Sequence, residues 1–259
     1  MKNKSVRRTF YECCVKRALD IFFSLLLLVV LSPLFLVIAI CSKIFIHGKI
    51  IFTQIRPGCN GKVFKIYKFR TMTEKTDAQG KLLPDGVRTT WFGKFLRRFS
   101  LDELPQLINI LRGEMSFVGP RPVLVKDVVF WTEEQLKIYR VRPGLTGLAQ
   151  VSGGRSFASW PCVLERHLTY QQKVTFWRDI VIVIKTFFVV LFRNDSAVTG
   201  ATHSRREYYY ADYLFKHNYI TEEQYQLGMQ RAQSIIARQS VITVCNDLTP
   251  KNEEMQYDN

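Results

Sequence analysis

Two adjacent acids, Asp102 and Glu103, stand between an arginine-rich stretch and an apolar helical pattern. The stretch Ser100–Glu103 matches the S-x-x-E capping box, in which the acid folds back to cap its own helix. Pro105 argues against a helix that begins at the serine, because a proline at the fifth helical position costs about 3 kcal/mol. A helix that begins near Leu104 would hold both carboxylates just before its N-terminus, where phosphate tends to bind. The spacing alone leaves both interpretations open.

Arginines near this pair could neutralise a bound phosphate. They are Arg97, Arg98, Arg112 and Arg121. Two rigid turns each present one arginine, Gly119-Pro120-Arg121-Pro122 and Arg142-Pro143-Gly144. Each turn alone is equally consistent with an incidental surface arginine, but both turns together with the acidic pair indicate an anion site. An ionised Asp102 beside a diphosphate would be repelled unless a divalent cation such as Mg²⁺ bridged the two.

The composition points to an anionic partner. A chain of 259 residues can bury one core plus an appendage, and its formal net charge is +15. Nucleic acid, an anionic membrane face and phosphorylated small molecules all carry the complementary charge. No recognised nucleic-acid module is visible, so nucleic acid is not expected as a partner. The six cysteines show no zinc spacing, and their scatter suits a reducing compartment.

An uncharged apolar segment, residues 21–42, precedes the acidic pair in the chain. It makes roughly 33 Å of helix, enough to cross a bilayer. Ser32-Pro33 interrupts it, and proline predicts a sharp bend. Both flanks are rich in Lys and Arg, which is typical of cytoplasmic flanks. A re-entrant hairpin that leaves by the face it entered satisfies both observations, and a straight transmembrane helix remains the alternative.

The remaining pattern predicts small elements around the site. Residues 50–72 read as a β-hairpin around 57–61, with a basic edge formed by Lys62, Lys65, Lys68 and Arg70. Residues 73–90 read as a loop, and Trp91–Arg98 as a helix at a membrane interface or one that packs by ordinary amphipathicity. We further expect a short helix over 132–141, a helical pattern from Pro161 to about Phe192, a helical pair within 206–238 with Thr221 as an N-cap, and a disordered tail from Thr249.

The ordered motifs of this chain closely resemble those of the bacterial sugar transferases, or monotopic phosphoglycosyl transferases. The matching stretches are Lys16-Arg17-Ala18-Leu19-Asp20, Arg56-Pro57-Gly58, Lys68-Phe69-Arg70-Thr71-Met72, Ser100 through Leu107, Met115 through Pro122, and Arg142 through Gly147. They cover about residues 14–195. The resemblance implies an α+β, mainly helical fold with a re-entrant N-terminal membrane helix hairpin, interfacial amphipathic helices and a small β-hairpin.

The resemblance also implies a mechanism. In the family, the aspartate of the acidic pair attacks the β-phosphate of a UDP-sugar, releases UMP and forms a phosphosugar-aspartate, and polyprenyl (undecaprenyl) phosphate then takes the sugar phosphate. Carried over, Asp102 is the nucleophile and a ligand of Mg²⁺, and Glu103 is its catalytic partner. The substrate-binding candidates are Lys68, Arg70, Arg97, Arg112, Pro120, Arg121, Pro122, Arg142 and Asp179.

The resemblance divides the chain into four parts. They are a basic N-terminal segment (1–13), a re-entrant membrane helix broken at Ser32-Pro33 (14–45), a catalytic domain (46–202), and a C-terminal helical appendage with a disordered tail (203–259). The expected location is the cytoplasmic face of the bacterial inner membrane, in contact with membrane lipid. Homo-oligomers and complexes with downstream glycosyltransferases stay open as partners. The pathway, such as capsule or exopolysaccharide synthesis, and the sugar are not named by any motif.

Two alternatives compete with this hypothesis. A membrane-anchored adaptor would use the basic surface to bind acidic lipid, without catalysis. A transferase with direct attack of one substrate on the other would use Asp102 only to hold Mg²⁺. An adduct on Asp102 after incubation with UDP-sugar alone distinguishes the covalent mechanism from both.

Overall fold

Helices dominate the fold, and two small sheets join them. The computed structural model describes residues 9–46, 48–152, 159–192 and 209–250. In these ranges the α-helices are α1 (Lys16–Val30), α2 (Ser32–Phe45), α3 (Asp85–Arg88), α4 (Trp91–Arg98), α5 (Gln106–Arg112), α6 (Val125–Val128), α7 (Glu133–Leu136), α8 (Leu148–Val151), α9 (Trp160–Gln172), α10 (Phe176–Leu191), α11 (Tyr210–Lys216) and α12 (Glu222–Arg238). The strands are β1 (Ile51–Pro57), β2 (Val63–Phe69), β3 (Ser116–Val118) and β4 (Gly144–Thr146). The mainly helical prediction is confirmed.

The N-terminal apolar segment is a bent pair of helices. A π-helical turn, Tyr11–Val15, leads into α1, and α1 and α2 meet at Leu31 with a bend of 61°. Pro33 lies in the first turn of α2, where its missing N–H removes no helical hydrogen bond. The predicted bend at Ser32-Pro33 is therefore confirmed. Within the described ranges no single helix is long and apolar enough to cross a membrane, whereas this bent pair is when its two halves are taken together.

The predicted hairpin is confirmed. Strands β1 and β2 pair antiparallel from Ile51 opposite Phe69 to Pro57 opposite Val63. The connection contains Asn60 at φ +55° and Gly61 at φ +72°, a left-handed pair that turns the chain through a tight loop.

The predicted basic edge of this hairpin is wrong. Lys62 and Lys65 are exposed, but the side chains of Lys68 and Arg70 are only 17% and 14% exposed. Alternation along a strand places Lys65 and Lys68 on opposite faces, and the face of Lys68 also buries Phe64. Lys68 and Arg70 each pair with an acid, so these two cations belong to the interior and not to one basic surface.

Two glycine-containing segments meet at the short parallel sheet. Strands β3 and β4 pair in parallel, and the turn after β3 lies against the start of β4. The backbone N–H of Gly144 donates to the carbonyl of Pro120 at 2.8 Å, and that of Gly119 donates to Thr146 at 2.9 Å. A Cβ on Gly144 would lie 2.1 Å from the nitrogen of Gly119. The two arginine turns singled out in the sequence are therefore neighbours in the fold.

The helical pattern predicted from Pro161 to about Phe192 is confirmed, and it consists of two helices. Helix α9 ends at Gln172, and α10 begins at Phe176 after an extended Thr175. Buried Val174 lies between them, and Arg178 donates to the carbonyls of Thr169 and Lys173 at 3.0 Å each. Arg178 thereby satisfies backbone acceptors at the end of α9 and stabilises the break.

The C-terminal helices pack on the segment 125–139. Thr221 caps α12 through a capping box with Gln224, as predicted for the N-cap. Side chains of α11 and α12 join one buried cluster with residues of 125–139, among them Phe130, Trp131, Tyr210, Leu214 and Ile235. The tail beyond residue 250 lies outside the described residues.

Candidate active site

The acidic pair lies on a tight turn between α4 and α5. Ser100 adopts the left-handed conformation with φ +56°, and a 3₁₀ turn over Leu101–Glu103 follows it. The side chain of Ser100 makes no capping hydrogen bond, and its backbone N–H donates to the carbonyl of Arg97 at 3.3 Å. The capping-box alternative is therefore wrong. The α-helix begins only after Pro105, so both acids precede it, as the proline argued.

Glu103 joins two cations from distant parts of the chain. Its Oε1 atom accepts hydrogen bonds from Lys68 Nζ at 2.6 Å and from Arg121 Nη2 at 2.9 Å. The side chains of Glu103, Lys68 and Arg121 are 12%, 17% and 30% exposed. Three elements, the strand β2, the turn before α5 and the turn after β3, are thus brought together by one carboxylate. We call these three residues the Glu103 cluster.

Asp102 shares the electrostatic environment of this cluster. It is partly exposed, and its negative charge acts on Lys68. Burial lowers the pKa of Lys68, the charges of Glu103 and Asp102 raise it, and the charge of Arg121 lowers it further. Two carboxylates and two cations, all partly exposed, therefore lie close together. In such a site the two cations can offset the negative charge of a substrate that approaches the carboxylate of Asp102.

The turn that carries Arg121 is held on both sides. Pro120 and Pro122 are buried, and the carbonyl of Pro120 accepts from Gly144. The carbonyl of Pro122 accepts from Arg56 Nη1 at 3.1 Å. Fixed prolines and two backbone contacts limit the directions that the Arg121 side chain can take.

Two further candidate arginines, Arg70 and Arg97, lie near the end of β2. Arg97 Nε donates to Thr71 Oγ1 at 2.9 Å, and Arg70 forms an ion pair with Glu74. Helix α4 approaches this backbone closely, since a Cβ on Gly93 would lie 1.9 Å from the carbonyl oxygen of Thr71. Arg97 and Arg70 therefore lie beside the strand that carries Lys68.

Three other candidates make their contacts elsewhere. Arg112 is exposed and donates to the hydroxyl of Tyr67 at 2.8 Å. Arg142 Nε donates to the carbonyl of Gly113 at 3.0 Å, at the C-terminal end of α5. Asp179 forms an ion pair with Lys16 and accepts from Tyr11 at 2.7 Å and from Tyr170 at 2.8 Å. These contacts do not join the three residues to the Glu103 cluster, so their substrate-binding role stays a prediction.

The family comparison agrees with the motifs. The model of the family described as bacterial sugar transferase matches residues 11–193. The chain belongs to the bacterial sugar transferases. The resemblance drawn from the motifs is confirmed, and the protein is a sugar-phosphate transferase enzyme.

Several curated proteins of this family are similar to the chain. The uncharacterized sugar transferase EpsL of Bacillus subtilis is 41% identical over 74% of this chain and 95% of its own length. The exopolysaccharide production protein ExoY of Sinorhizobium fredii is 39% identical over 70% of this chain and 87% of its own length. The UDP-glucose:undecaprenyl-phosphate glucose-1-phosphate transferase of Klebsiella pneumoniae is 40% identical over 67% of this chain but only 39% of its own length.

Two residues of the first family motif, Arg17 and Asp20, connect α1 to the elements around the site. Arg17 donates to the carbonyls of Ile110 and Leu111 at 2.6 and 2.8 Å, at the end of α5. Asp20 is buried and accepts from the hydroxyl of Ser116 and the backbone N–H of Phe117, both at 3.1 Å. The helix α1 therefore contacts the C-terminal end of α5, which follows the acidic pair, and the start of β3, which precedes Arg121. The motif alone predicted no role for Arg17 and Asp20.

A buried histidine near Arg121 was missed by the sequence reasoning. His167 on α9 is 2% exposed, and its Nδ1 atom has no hydrogen-bond partner among the described residues. Burial, with a further effect of the charge of Arg121, lowers its pKa to about 4. His167 is therefore neutral at physiological pH and adds no charge to the site. A single histidine in an amphipathic helix gives no sequence signal of this position.

The residues present fit a Mg²⁺ ion that is shared with substrate. In the described ranges no group of three or more His, Cys, Asp and Glu side chains is arranged as a metal cage. In phosphoryl-transfer sites Mg²⁺ is bound by one or two carboxylates, water and the phosphates of the substrate. Asp102, a partly exposed carboxylate beside the cations, can provide such a ligand.

Proposed function

We propose that the protein transfers a sugar 1-phosphate from a UDP-sugar to polyprenyl phosphate through a covalent phosphosugar on Asp102. The observation that carries this proposal is Asp102 next to Glu103, Lys68 and Arg121 on a partly exposed turn. The Klebsiella pneumoniae relative is named for UDP-glucose and undecaprenyl phosphate, so UDP-glucose is the first donor to test.

In the first half-reaction, a carboxylate oxygen of Asp102 attacks the β-phosphorus of the donor. The bond from this phosphorus to the bridging oxygen breaks, and UMP leaves with the electron pair. Arg121 and Lys68 offset the charge that develops on the phosphoryl oxygens. Glu103 holds both cations at 2.9 and 2.6 Å and so fixes their positions before the substrate arrives.

In the second half-reaction, an oxygen of polyprenyl phosphate attacks the same phosphorus. The bond to Asp102 breaks, its carboxylate is regenerated, and the product is a polyprenyl diphosphate sugar. Two successive displacements allow a soluble donor and a lipid acceptor to use the site in turn.

Mg²⁺ would be held by Asp102 together with phosphate oxygens of the donor. When bound, it would reduce the repulsion between the carboxylate and the diphosphate. Lys68 and Arg121 act in the same direction from the protein side, because their positive charges already lie at the carboxylates.

The exposed apolar side chains support a location of the protein at a membrane surface. Large hydrophobic residues are exposed on the bent helix pair, on α4 and on α10, among them Phe22, Val29, Leu36, Trp91, Phe95, Trp177, Phe187 and Phe192. Exposed aromatic and aliphatic residues beside a basic surface are typical of interfacial helices. We propose that the bent pair enters and leaves by the cytoplasmic face of the inner membrane, so that the site meets the lipid phosphate.

The covalent step is tested by intact-mass analysis after incubation with UDP-glucose and no acceptor. We expect one added phosphohexose on the wild type, an equal amount of released UMP, and neither on Asp102→Asn. The exposed acid Glu165 on α9 provides the matched control, and Glu165→Gln should form the adduct normally. Full transfer activity with no adduct under any of a panel of UDP-sugars would favour direct attack of the acceptor on the donor.

The topology is tested by labelling single cysteines from one side of the membrane. In a background without the native cysteines, Ser5→Cys and Ile50→Cys should react with an impermeant reagent from the same side. If the two cysteines reacted only from opposite sides, the re-entrant hairpin would be rejected in favour of a straight transmembrane helix.

A further inference from the structure

The C-terminal helices lie outside the part of the chain that the family model matches. That match ends at residue 193, whereas α11 and α12 lie in 209–250. They are nevertheless packed tightly on the catalytic part, because a Cβ on Gly228 of α12 would lie 2.1 Å from the ring of Phe130. The backbone N–H of Ile242 also donates to the carbonyl of Gly61, in the hairpin turn, at 3.0 Å. The segment therefore contacts the turn of the hairpin whose first strand carries Arg56.

A buried carboxylate connects the C-terminal helices with the body of the enzyme. Asp127 on α6 is 2% exposed, and its Oδ1 atom accepts from the backbone N–H of Ala211, at the start of α11, at 3.3 Å. The negative charge of Asp127 acts on Arg56, as does the neighbouring Tyr209. Helix α6, which carries Asp127, packs against β1, which carries Arg56, so Asp127 connects the start of α11 with this strand.

Arg56 in turn holds the turn that carries Arg121. Its Nη1 atom donates to the carbonyl of Pro122 at 3.1 Å, and its Nη2 atom donates to Gln54 Oε1 at 2.7 Å. Arg121 is close enough for its positive charge to lower the pKa of Arg56, after the larger effect of burial. Two like charges therefore lie near one another, and Asp127 provides the negative charge that offsets their repulsion.

We propose that the C-terminal helices are a positioning element of the active site, which acts through Asp127 and Arg56 on the direction of Arg121. Asp127 and Arg56 are positioning residues in this scheme, since neither is placed in contact with substrate. The inference rests on the proposed function, in which Arg121 contacts the β-phosphate of the donor. A small displacement of such a contact lowers the rate by up to about 100-fold.

The test is a double-mutant cycle between Asp127→Asn and Arg121→Gln in the full chain. Asparagine keeps the shape and the Oδ1 acceptor for Ala211 but removes the charge near Arg56. We expect Asp127→Asn to weaken UDP binding by about tenfold and to lower kcat/KM for UDP-glucose by about 10- to 100-fold. In the Arg121→Gln background Asp127→Asn should change neither value further, because its effect runs through Arg121.

UMP binding is the internal control, because UMP lacks the β-phosphate. Its affinity should be the same in all four proteins of the cycle. A merely structural role of Asp127 would affect UMP and UDP alike and would add to the effect of Arg121→Gln. Either result would overturn the inference, as would unchanged UDP affinity in Asp127→Asn. A coupled UDP cycle without UMP release from any donor would instead refute the proposed function and leave this inference standing.

A second pair of variants tests the contact of the helices themselves. Gly228→Val drives a side chain into Phe130 and should reproduce the loss of UDP affinity. Gly86→Ala is the matched control, since its Cβ would meet no atom within 4 Å. Normal UDP affinity in a Gly228→Val protein whose C-terminal helices have become protease-sensitive would count against the proposal. The Asp127→Asn cycle decides alone where Gly228→Val does not fold.

Discussion

Two acid–lysine clusters of similar burial lie in this protein. In the Glu103 cluster, the side chains of Glu103 and Lys68 are 12% and 17% exposed. In the second, which we call the Asp179 cluster, Asp179 and Lys16 are 8% and 13% exposed. The first joins β2 to the turn before α5 and adds Arg121. The second joins the N-terminal segment to α9 and α10 and adds two tyrosine hydroxyls.

The added groups decide what each cluster can do. Arg121 gives the Glu103 cluster a second cation, so one carboxylate faces two positive charges beside a further acid, Asp102. In the Asp179 cluster, burial and the neighbouring Asp179 raise the pKa of Tyr170 and of Tyr11 well above the usual value. These tyrosines stay neutral donors that saturate the carboxylate. A buried acid–lysine pair alone therefore does not indicate an active site. The other groups around the pair distinguish a site that can bind an anion from a pair that only stabilises the fold.

Among the variants that compare the two clusters, Glu103→Gln should have the largest effect. Glutamine keeps the size and one acceptor but leaves Lys68 and Arg121 without their shared negative charge. We expect kcat/KM to fall by about 10³-fold, roughly 4 kcal/mol of transition-state stabilisation. UMP release from UDP-glucose measures this loss, with Glu165→Gln as the exposed control. An activity within threefold of the wild type would remove Glu103 from the catalytic machinery.

Asp179→Asn should show the opposite pattern, with a loss of stability and little loss of activity. Asparagine can still accept from the tyrosines, but the charge of Lys16 is left buried and unpaired. Breaking one side of a buried pair costs about 3 to 5 kcal/mol. Denaturant unfolding followed by tryptophan fluorescence should show this loss, while kcat of the folded enzyme stays within about threefold. A kcat as low as that of Glu103→Gln, at unchanged stability, would make the Asp179 cluster part of the site.

The sequence predicted the position of the acidic pair, but the contacts that build the two clusters were not predictable from local patterns. Pro105 and the two arginine turns are local signals, so the position of the acidic pair before α5 was predictable. The ion pair of Asp179 with Lys16 joins residues 163 positions apart, and no local pattern encodes such a contact. The orphan His167 and the contact of Arg56 with Pro122 depend on tertiary packing in the same way. Only the basic edge of the predicted hairpin is wrong, because the alternation of side chains along β2 places Lys65 and Lys68 on opposite faces.

Asp127 is another buried acid, and its titration should make the stability of the protein depend on pH. Burial is the main cause that raises its pKa from 3.8 to about 6, and Asp212 adds to it. The backbone N–H of Ala211 and the charges of Lys126 and Arg56 act in the opposite direction. Between pH 4 and pH 6 the folded state therefore binds this proton more tightly than the unfolded state, and stability falls as the pH rises through that window.

Asp127→Asn should abolish this dependence, because asparagine does not titrate. Relative to the wild type, the free energy of unfolding of the variant should rise by about 3 kcal/mol between pH 4 and pH 7. Denaturant unfolding at a series of pH values measures the difference, and Glu165→Gln should show none. The variant would then be less active but would lack the loss of stability that the wild type shows as the pH rises, which separates positioning from simple support of the fold. A difference that is constant from pH 4 to pH 7 would contradict the raised pKa.

The smallest effect is expected from Arg112→Gln, although the resemblance placed Arg112 among the substrate contacts. Its side chain is exposed and rests on Tyr67, with the guanidinium carbon 5.3 Å from the ring centre. An exposed cation–π contact contributes about 0.5 to 1 kcal/mol. The unfolding equilibrium constant and the KM for UDP-glucose should therefore each change by less than about fivefold. Arg121→Gln, measured in parallel, should change KM or kcat far more. A tenfold rise in KM for Arg112→Gln would extend the anion site from the Glu103 cluster along the outer face of α5, where Arg112 would then contact the substrate directly.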